Sequence, residues 1–362
     1  MPLVSIHGLL LEELEAFCKE QGQPAFRAKQ IWDWLYVKRI ASLAEMKNLP
    51  APLRDQLFKH FGSQTLEDAS PLRREAPCRN AVAFQCLEKL EVKGAPGETQ
   101  KLLLKLADGE LIEAVLIPAR TRRTVCVSTQ VGCKMACAFC ASGQCGFRRN
   151  LTAGEIVEQV LLATDVYGER PTNIVYMGVG EPFDNYDETL KSVRILNHPD
   201  GLGIGARKIT ISTSGVIPGI KRLAGEGLQV ELSVSVHAPE NELRSKLMPL
   251  NKRYPLDALM QACADYTAKT KRIITFEYTL IKNLNDSAAH ARQMVKLLKK
   301  FPCRVNLIPL SPVEEFDGER PDSEIMKVFF QTLEKAGINT TLRDSKGSAL
   351  KAACGQLRAR RL

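Results

Sequence analysis

The first part of the chain has the hydrophobic spacing of amphipathic helices. Apolar residues recur every three or four positions in three segments, which predicts helices at 9–22, 23–39 and 49–62. Gly22 ends the first helix, and Pro52 stands near the start of the third, where proline is tolerated. Residues 67–85 lack this period and are predicted to be an irregular connection or an edge strand. We therefore expect residues 1–95 to form a small helical N-terminal domain with a linker.

A different rhythm begins near residue 100, where short β-rich runs alternate with helical patterns. A helix is predicted at 152–168, with a capping box formed by Thr152 and Glu155 and with Gly168 at its end. Repeated strand–helix units are typical of an α/β fold with a parallel sheet, either open or closed into a partial barrel. Residues 96–362 are the predicted catalytic core. The predicted strands are 173–178, 208–213, 229–237, 273–280, 304–310 and 338–343.

Four polar motifs, GVGEP, STSG, SVHAP and LSP, follow predicted strands. The carboxyl ends of parallel strands meet at one edge of a sheet, where active sites of such folds lie. We therefore expect the four motifs to share one site.

The chain contains no apolar run near the ~18 residues that a membrane span needs. Its first segment carries acidic residues where a signal peptide would have a basic flank and a cleavage site. We expect an unprocessed cytoplasmic protein with no membrane association. The sequence gives no sign of oligomerisation, and we expect a monomer.

Basic residues exceed acidic ones, giving a formal net charge of +9 at pH 7. A basic surface suits a polyanion such as nucleic acid, although solvated surface charge is common without any such partner. The clusters are Arg120, Arg122 and Arg123; Arg148 and Arg149; Lys252 and Arg253; and the C-terminal LRARRL.

Cysteines are numerous, and three of them cluster. The chain has eleven, and Cys133, Cys137 and Cys140 form a C-x3-C-x2-C pattern in VGCKMACAFCASGQCGF. Clustered cysteines in a reducing compartment indicate metal or redox chemistry. A helix would separate the outer two by ~10 Å along its axis. Gly132 and Gly143 instead favour a loop that wraps the thiols around a compact centre.

Zinc and iron–sulfur centres make different demands on these thiols. Structural zinc takes four ligands, usually as two close pairs, and only Cys145 is a nearby fourth. An iron–sulfur cube held by three thiolates keeps one iron open for chemistry. The C-x3-C-x2-C spacing, with Phe139 before the last cysteine, is the signature of radical S-adenosylmethionine (SAM) enzymes. A fully ligated cluster that uses Cys145 remains the alternative.

Longer motifs extend this interpretation over nearly the whole chain, and the sequence resembles the RlmN/Cfr family of radical SAM RNA methyltransferases. The resemblance implies a partial (β/α)6 barrel with a helical RNA-recognition domain. It also implies methylation of C2 of an adenine in the peptidyl-transferase region of 23S ribosomal RNA and, in some members, of an adenine beside the tRNA anticodon. The motifs are FRAKQIWDWLY, CVSTQVGCKMACAFCASG, NIVYMGVGEP, ITISTSGVIPGI, LSVSVHAPENELRSKLMPLNKRYPL, RVNLIPLSP and AACGQL.

The resemblance also implies a mechanism, because C2 of adenine is too electron-poor to take a methyl group from a sulfonium directly. Cys354 matches the cysteine that accepts a methyl group from one SAM molecule. A second SAM, cleaved at a 4Fe–4S cluster held by the cysteine trio, generates the radical that activates this methyl group. Cys126 matches the cysteine that resolves the protein–RNA adduct by forming a disulfide. Glu113 matches the family's proton acceptor, a role for which Cys126 competes.

The resemblance assigns a SAM pocket as well. The position of Ser311 departs from the family pattern, which has asparagine there, and serine offers only one hydroxyl. We expect Gly180 and Glu181 to meet the amino group of SAM. The ribose and adenine contacts are expected from Ser212, Ser235, Val236 and His237.

Two alternatives remain at this point. One is the Cfr-like methylation of C8 of the same adenine. The other is a non-catalytic RNA-binding protein with zinc or a fully ligated cluster. The expected partners are 23S rRNA, tRNA and an electron donor such as flavodoxin or ferredoxin. The candidate phosphate contacts are Arg122, Arg123, Arg148 and Arg149.

Overall fold

The structure of the protein is a computed structural model that describes residues 5–40, 42–61, 87–343, 347 and 350–358. The N-terminal region contains three helices, which confirm the three predicted ones. The second helix continues into a π-helical turn at Asp33–Val37. The connection predicted at 67–85 lies outside the described residues. The three helices are α1 (Leu11–Glu20), α2 (Phe26–Trp32) and α3 (Ala51–Phe61).

The N-terminal helices share one continuous apolar core with the rest of the chain. Trp32 is 1% exposed, and its ring packs against His198 with 4.9 Å between centroids. Glu158 joins the regions through polar contacts. Its Oε1 accepts from Ser5 Oγ at 2.6 Å, and its Oε2 accepts from Leu87 N at 2.9 Å. The division into domains at residue 95 stays a prediction.

Ten strands form the main sheet, and its two parts run differently. The first four strands pair antiparallel with one another, and the fourth then begins a parallel series of seven. The parallel series confirms all six predicted strands, and β1 to β4 extend the sheet beyond them. In sheet order the strands are β1 (Leu87–Lys93), β2 (Gln100–Leu106), β3 (Leu111–Ala119), β4 (Arg122–Cys126), β7 (Asn173–Tyr176), β8 (Ile209–Thr213), β9 (Glu231–Ser235), β10 (Ile274–Leu280), β11 (Cys303–Pro309) and β12 (Asn339–Leu342).

Helices connect each parallel strand to the next, so β4 to α11 make six strand–helix units. This confirms the predicted α/β class and the (β/α)6 arrangement. The predicted capping box is also present, because Thr152 Oγ1 accepts from Glu155 N at 3.2 Å. The connecting helices are α5 (Ala153–Tyr167), α6 (Tyr186–Asn197), α7 (Ile217–Leu223), α8 (Asn241–Leu247), α9 (Leu256–Thr270), α10 (Ala288–Leu298) and α11 (Ser323–Lys335).

A small hairpin frames the cysteine motif. Its strands are β5 (Gln130–Gly132) and β6 (Phe147–Asn150), and the short helix α4 (Ala141–Gln144) lies between them. Residues 133–140 form a loop, as the glycines predicted. Gly132 has φ +74°, and a β-carbon there would overlap the carbonyl oxygen of Gly146. Glycine is therefore required at the point where the loop leaves β5.

None of the described helices has the length and apolar character needed to cross a membrane.

Candidate active site

One cavity lies at the carboxyl ends of the parallel strands, where the four polar motifs meet. Residues from the ends of β7, β8, β9, β10 and β11 line it, together with the cysteine loop and the C-terminal segment. Ten of the predicted site residues share this lining. They are Cys133, Cys137, Cys140, Gly180, Glu181, Ser212, Ser235, His237, Ser311 and Cys354.

The cysteine loop, residues 133–140, docks against helix α8 on one side of the cavity. Ala138 N donates to Leu247 O at 2.9 Å, which ties the middle of the loop to the end of the helix. Phe139 is 9% exposed, and its ring meets His237 edge-on with 4.8 Å between centroids. These contacts hold the three thiols against the cavity wall.

The three thiols line one cavity, but they do not surround a single metal position. Among the described residues, no three His, Cys, Asp or Glu side chains are placed to share one metal ion. A cube of several irons takes its thiolates at separate corners, so they stand farther apart than around one ion. Burial raises the pKa of Cys133 to about 12 and the pKa of Cys137 well above its usual value. Both thiols therefore hold their protons near neutral pH, and a metal centre that binds them must displace these protons.

Cys145 lies apart from the trio. It is the residue that follows α4, and it is absent from the cavity lining. Its Sγ is 3.9 Å from the backbone oxygen of Arg358. The cavity lining therefore includes three of the four neighbouring cysteines and not Cys145.

Gly180 and Glu181 follow β7 and form part of the cavity wall. Gly180 has φ +112°, and a β-carbon there would come within 2.7 Å of the Gln130 side chain. The Glu181 carboxylate already has protein donors. Its Oε2 accepts from Ser214 N and Oγ, both at 2.7 Å, and its Oε1 accepts from Phe183 N at 3.0 Å. Glu181 therefore fixes the turn after β8, and it also lines the cavity.

Arg244 on α8 is a residue that sequence reasoning did not identify. It is fully buried, and its guanidinium donates to Ser214 O at 2.7 Å, Ser235 O at 3.1 Å and Val236 O at 3.2 Å. One side chain thereby ties together the loops that follow β8 and β9. Burial lowers its pKa to about 10, so it stays charged near neutral pH. Val236, a predicted site residue, is fully buried and lies outside the cavity lining.

His237 is held as a neutral imidazole. Its Nδ1 accepts from Thr279 N at 2.8 Å, which places the proton on Nε2. Burial lowers its pKa to about 3. Asn285 supports this arrangement, because its Nδ2 donates to His237 O at 2.8 Å and to Thr279 O at 2.7 Å. His237 therefore offers an N–H donor, without charge, beside the cavity.

Glu277 is a second cavity residue that the sequence did not reveal. It is 3% exposed, and its Oε1 accepts from Asn306 Nδ2 at 3.0 Å. Burial raises its pKa, an effect that the charge of Arg343 and the nearby Ser233 hydroxyl oppose. Ser233 does not satisfy Oε2, however, since no donor among the described residues has hydrogen-bond geometry to this atom.

The C-terminal segment, residues 350–358, closes the cavity beside the cysteine loop. Ala141 N donates to Gly355 O at 2.7 Å, and Ser142 Oγ donates to Leu357 O at 2.8 Å. These contacts start at the residue after Cys140. Cys354 faces the cavity and is exposed to it, while the surrounding protein raises the pKa of its thiol. The structure thus places the predicted methyl-accepting thiol beside the predicted cluster site.

Cys126, at the end of β4, lies behind the C-terminal segment. It is 6% exposed and belongs to an apolar cluster that includes Ala352 and Leu357. Burial, and then the neighbouring Cys354 thiol, raise its pKa to about 12. The two cysteines are 228 positions apart in sequence, from 126 to 354, but neighbours in the fold.

Glu113 on β3 anchors the C-terminal segment from below. Its Oε2 accepts from Arg358 N at 2.8 Å, and its Oε1 pairs with Lys101 Nζ at 2.9 Å. Lys101 Nζ also donates to Lys351 O at 3.3 Å. This buried ion pair therefore holds both ends of residues 351–358, the stretch that carries Cys354.

The four candidate RNA-contacting arginines differ in their surroundings. Arg149 pairs with Asp108 Oδ2 at 2.6 Å and with Glu155 Oε1 at 2.8 Å, and Arg123 pairs with Glu169 Oε2 at 3.0 Å. Arg122 and Arg148 are exposed. The exposed pair is thus the more accessible to a phosphate.

Comparison with known proteins agrees with this geometry. Residues 127–295 match the family model of the radical SAM superfamily, and residues 4–61 match that of the ribosomal RNA large subunit methyltransferase N-terminal domain. A protein of Geobacillus kaustophilus described as "probable dual-specificity RNA methyltransferase RlmN" is 47% identical over 99% of this chain and 93% of its own length. The chain belongs to the RlmN family of radical SAM RNA methyltransferases.

Other relatives also cover nearly the whole chain. One of Dictyoglomus thermophilum, with the same description, is 45% identical over 96% of this chain and 95% of its own length. The crystal structure of a radical SAM methyltransferase from Sphaerobacter thermophilus is 44% identical, with a TM-score of 0.88 over 99% of this chain and all of that one. The family predicted from the sequence is confirmed. The cofactors of a radical SAM protein are a 4Fe–4S cluster and SAM.

Proposed function

We propose that the protein methylates C2 of an adenine in the peptidyl-transferase region of 23S rRNA, and C2 of the adenine beside the anticodon in tRNAs. The descriptions of its RlmN relatives as dual-specificity enzymes support both substrates. The observation that carries the proposal is the position of Cys354, which shares one cavity with the cysteine trio and neighbours Cys126. A radical enzyme that transfers a methyl group through its own cysteine needs these three features together.

Cys133, Cys137 and Cys140 hold the cluster in this proposal. When bound, the cluster supplies the electron that cleaves SAM, and two SAM molecules per turnover supply the methyl group and the hydrogen-abstracting fragment. The walls of the cavity bind and orient SAM. Gly180 lets the backbone approach the cofactor, while Ser212, Ser235, His237 and Ser311 offer donors around it. Val236 contributes through its backbone, since its side chain lies in the core.

Cys354 accepts the methyl group on Sγ, and the hydrogen-abstracting fragment of the second SAM removes one hydrogen atom from it. The resulting carbon bonds to C2 of the adenine, and loss of the C2 proton and of one electron, which would return to the oxidised cluster, leaves a covalent protein–RNA adduct. Cys126 then resolves this adduct. Its thiolate attacks Sγ of Cys354, a disulfide forms, and the sulfur–carbon bond breaks with its electron pair passing to the methylene carbon, which gains a proton to become the methyl group. An exogenous thiol must reduce the disulfide before the next cycle. The burial that raises the pKa of Cys126 makes it a strong base once deprotonated.

Glu113 is the alternative acceptor for the proton lost from C2. Both of its oxygens are already engaged, by Lys101 and by the backbone of Arg358. Accepting a substrate proton would weaken these contacts and release the segment that carries Cys354. Proton transfer to Glu113 would then be coupled to movement of that segment.

The wider setting is proposed on the same basis. We assign RNA recognition to residues 1–95 and catalysis to residues 96–362, in a cytoplasmic monomer supplied with electrons by a flavodoxin or ferredoxin. The relatives carry RlmN descriptions, which favours C2 over the Cfr-like C8 product. Membership of an enzyme family also argues against a purely RNA-binding role.

Anaerobic reconstitution followed by assay on rRNA and tRNA transcripts tests the proposal. Mass spectrometry of the nuclease-digested RNA should show 2-methyladenosine from both. If 8-methyladenosine is the main product, the C2 assignment is wrong. If only the rRNA is methylated, the proposed activity on tRNA is wrong.

Two substitutions test the roles of the cysteines. Cys354→Ala should abolish methylation while the iron–sulfur absorbance remains, because the cluster keeps its three ligands. Cys145→Ala should leave the cluster intact. Cys303→Ala, at a half-buried cysteine away from the cavity, is the matched control. Methylation by the Cys354 variant, or loss of the cluster in the Cys145 variant, would contradict these assignments.

A further inference from the structure

One carboxyl oxygen of Glu277, Oε2, lacks a hydrogen-bond donor from the described protein residues. Oε2 is buried and has no donor among the described residues, while Oε1 is fixed by Asn306. Leaving a buried acceptor unsatisfied costs free energy, and such groups in folded proteins generally await a ligand or water. Because Glu277 lines the cavity, an occupant of the cavity is placed to supply the donor.

The sheet register places this oxygen beside the predicted ribose contacts. On β10, Glu277 pairs with Ser235 of β9 on one side and with Asn306 of β11 on the other. It lies three residues before Leu280, the end of β10, and so below the loops at the cavity mouth. Thr279 lines the cavity from the same strand. The carboxyl group therefore belongs to the inner wall of the cavity.

A ribose has the chemistry that this position requires. Its two neighbouring hydroxyls are hydrogen-bond donors, and a carboxylate accepts strongly from such donors. Ser235, a predicted ribose contact, pairs with Glu277 in the sheet, so both side chains belong to the same level of the cavity wall. We propose that Glu277 accepts hydrogen bonds from the ribose hydroxyls of SAM and so positions the cofactor relative to Cys354. This inference rests on the proposed assignment of the cavity to SAM.

The exocyclic amine of the target adenine is another N–H donor that enters near Cys354. The ribose is the better match, because Glu277 lies level with Ser235 inside the sheet, whereas RNA reaches the cavity through its mouth. Measurements of SAM affinity and RNA affinity separate the two sources.

The primary experiment measures SAM binding by calorimetry on the reconstituted, air-free protein. Glu277→Gln keeps the size of the side chain and its contact with Asn306. We expect it to bind SAM about tenfold more weakly than the wild type, with unchanged cluster absorbance and melting temperature. The matched control is Asp286→Asn, since Asp286 is another buried carboxylate with an unpartnered oxygen but lies in a separate cavity. It should bind SAM normally.

SAM analogues that lack the 2′- or the 3′-hydroxyl complete the test. The wild type should lose about tenfold in affinity for at least one analogue, and the Glu277→Gln variant should not distinguish that analogue from SAM. Equal SAM affinity of the Glu277→Gln variant and the wild type would overturn the inference about Glu277 but not the proposed function. Failure of the wild type to bind SAM would overturn the proposed function as well. If SAM affinity is kept, and RNA affinity falls only for RNA that carries the adenine amine, the ribose assignment is wrong.

Discussion

The two sides of the cavity are held in place in different ways. The strand-end loops after β8, β9 and β10 are bound from within by fully buried side chains, chiefly Arg244 and Asn285, that donate to backbone carbonyls. The C-terminal segment packs a few apolar side chains, among them Ala352 and Leu357, beside Cys126. It is otherwise held by the Lys101–Glu113 pair, by hydrogen bonds to α4 and by ion pairs of Arg358 at the surface.

The two sides of the cavity have different proposed functions, namely binding the cofactor and carrying Cys354. A cofactor that is cleaved by electron transfer must be held in one geometry, which a rigid wall provides. Cys354, in contrast, is proposed to meet SAM, then RNA, then Cys126. A segment held by few contacts opens at lower cost than a packed strand end. We therefore expect a fixed wall at the strand ends and a movable wall at residues 350–358.

Removal of Arg244 should give the largest effect on the fixed wall. We expect Arg244→Met to lower the free energy of unfolding by about 4 kcal/mol, because several buried carbonyl oxygens lose their donor at once. Denaturant unfolding of the two proteins measures this difference. Arg253→Met, at an exposed position nearby in sequence, is the control and should change stability little. A change below about 1 kcal/mol in Arg244→Met would mean that the wall does not depend on this residue.

Asn285 should give the next largest effect. We expect Asn285→Ala to cost about 3 kcal/mol, since it leaves Ile281 N, His237 O and Thr279 O without their partner. Chemical denaturation followed by circular dichroism measures the loss. The exposed amide of Gln261 supplies a control, and Gln261→Ala should stay within about 0.5 kcal/mol of the wild type. Similar losses of unfolding free energy in the two variants would show that Asn285 does not stabilise the fixed wall.

His237 makes the fixed wall sensitive to acid. Burial holds its pKa at about 3, below the ordinary 6.5, so the unfolded chain takes up a proton between these values that the folded chain refuses. The stability that the neutral His237 contributes is therefore fully present above pH 6.5 and is lost as the pH decreases towards 3. The loss from this residue is about 2 kcal/mol at pH 5. The wild type should lose about 2 kcal/mol more unfolding free energy than His237→Gln when the pH is lowered from 7.5 to 5. An equal loss in the two proteins would contradict the role of His237.

The Lys101–Glu113 pair should affect the movable wall with the smallest change in overall stability. We expect Lys101→Met to make the segment 350–358 open about tenfold more often, which corresponds to about 1.4 kcal/mol. Amide hydrogen exchange read by mass spectrometry reports opening of this segment separately from the sheet. Lys105→Met is the matched control, because Lys105 lies on the same strand but pairs only loosely with Glu88, at 3.7 Å. Equal exchange in the two variants would show that the pair is not what holds the segment.

The sequence predicted most of the fold because the governing signals are local. The period of apolar residues located α1 to α3 and the six later strands, and the capping residues Thr152 and Gly168 marked the limits of α5. The cysteine spacing and its glycines indicated a loop. The strand-end motifs indicated one shared site, since parallel strands bring their carboxyl ends together.

The remaining features depend on contacts between distant segments. Arg244 and Asn285 act on backbone carbonyls, which are the same in every residue and leave no sequence signal. Glu277 looks like any polar residue within a strand until the neighbouring strands show that its Oε2 has no donor. The engagement of Glu113 by Lys101 and Arg358 is likewise visible only after folding. Patterns along a chain show which residues are reactive, but not which ones support them.

The carboxylate of Glu158 has a consequence for any attempt to divide the chain. It lies 1% exposed on α5 and takes hydrogen bonds from Ser5 and from the backbone of Leu87. A shortened version that starts at the sheet would uncover this acid group together with the apolar patch around it. A minimal catalytic fragment should therefore keep the N-terminal helices or replace Glu158, since this part of α5 is buried in the full chain.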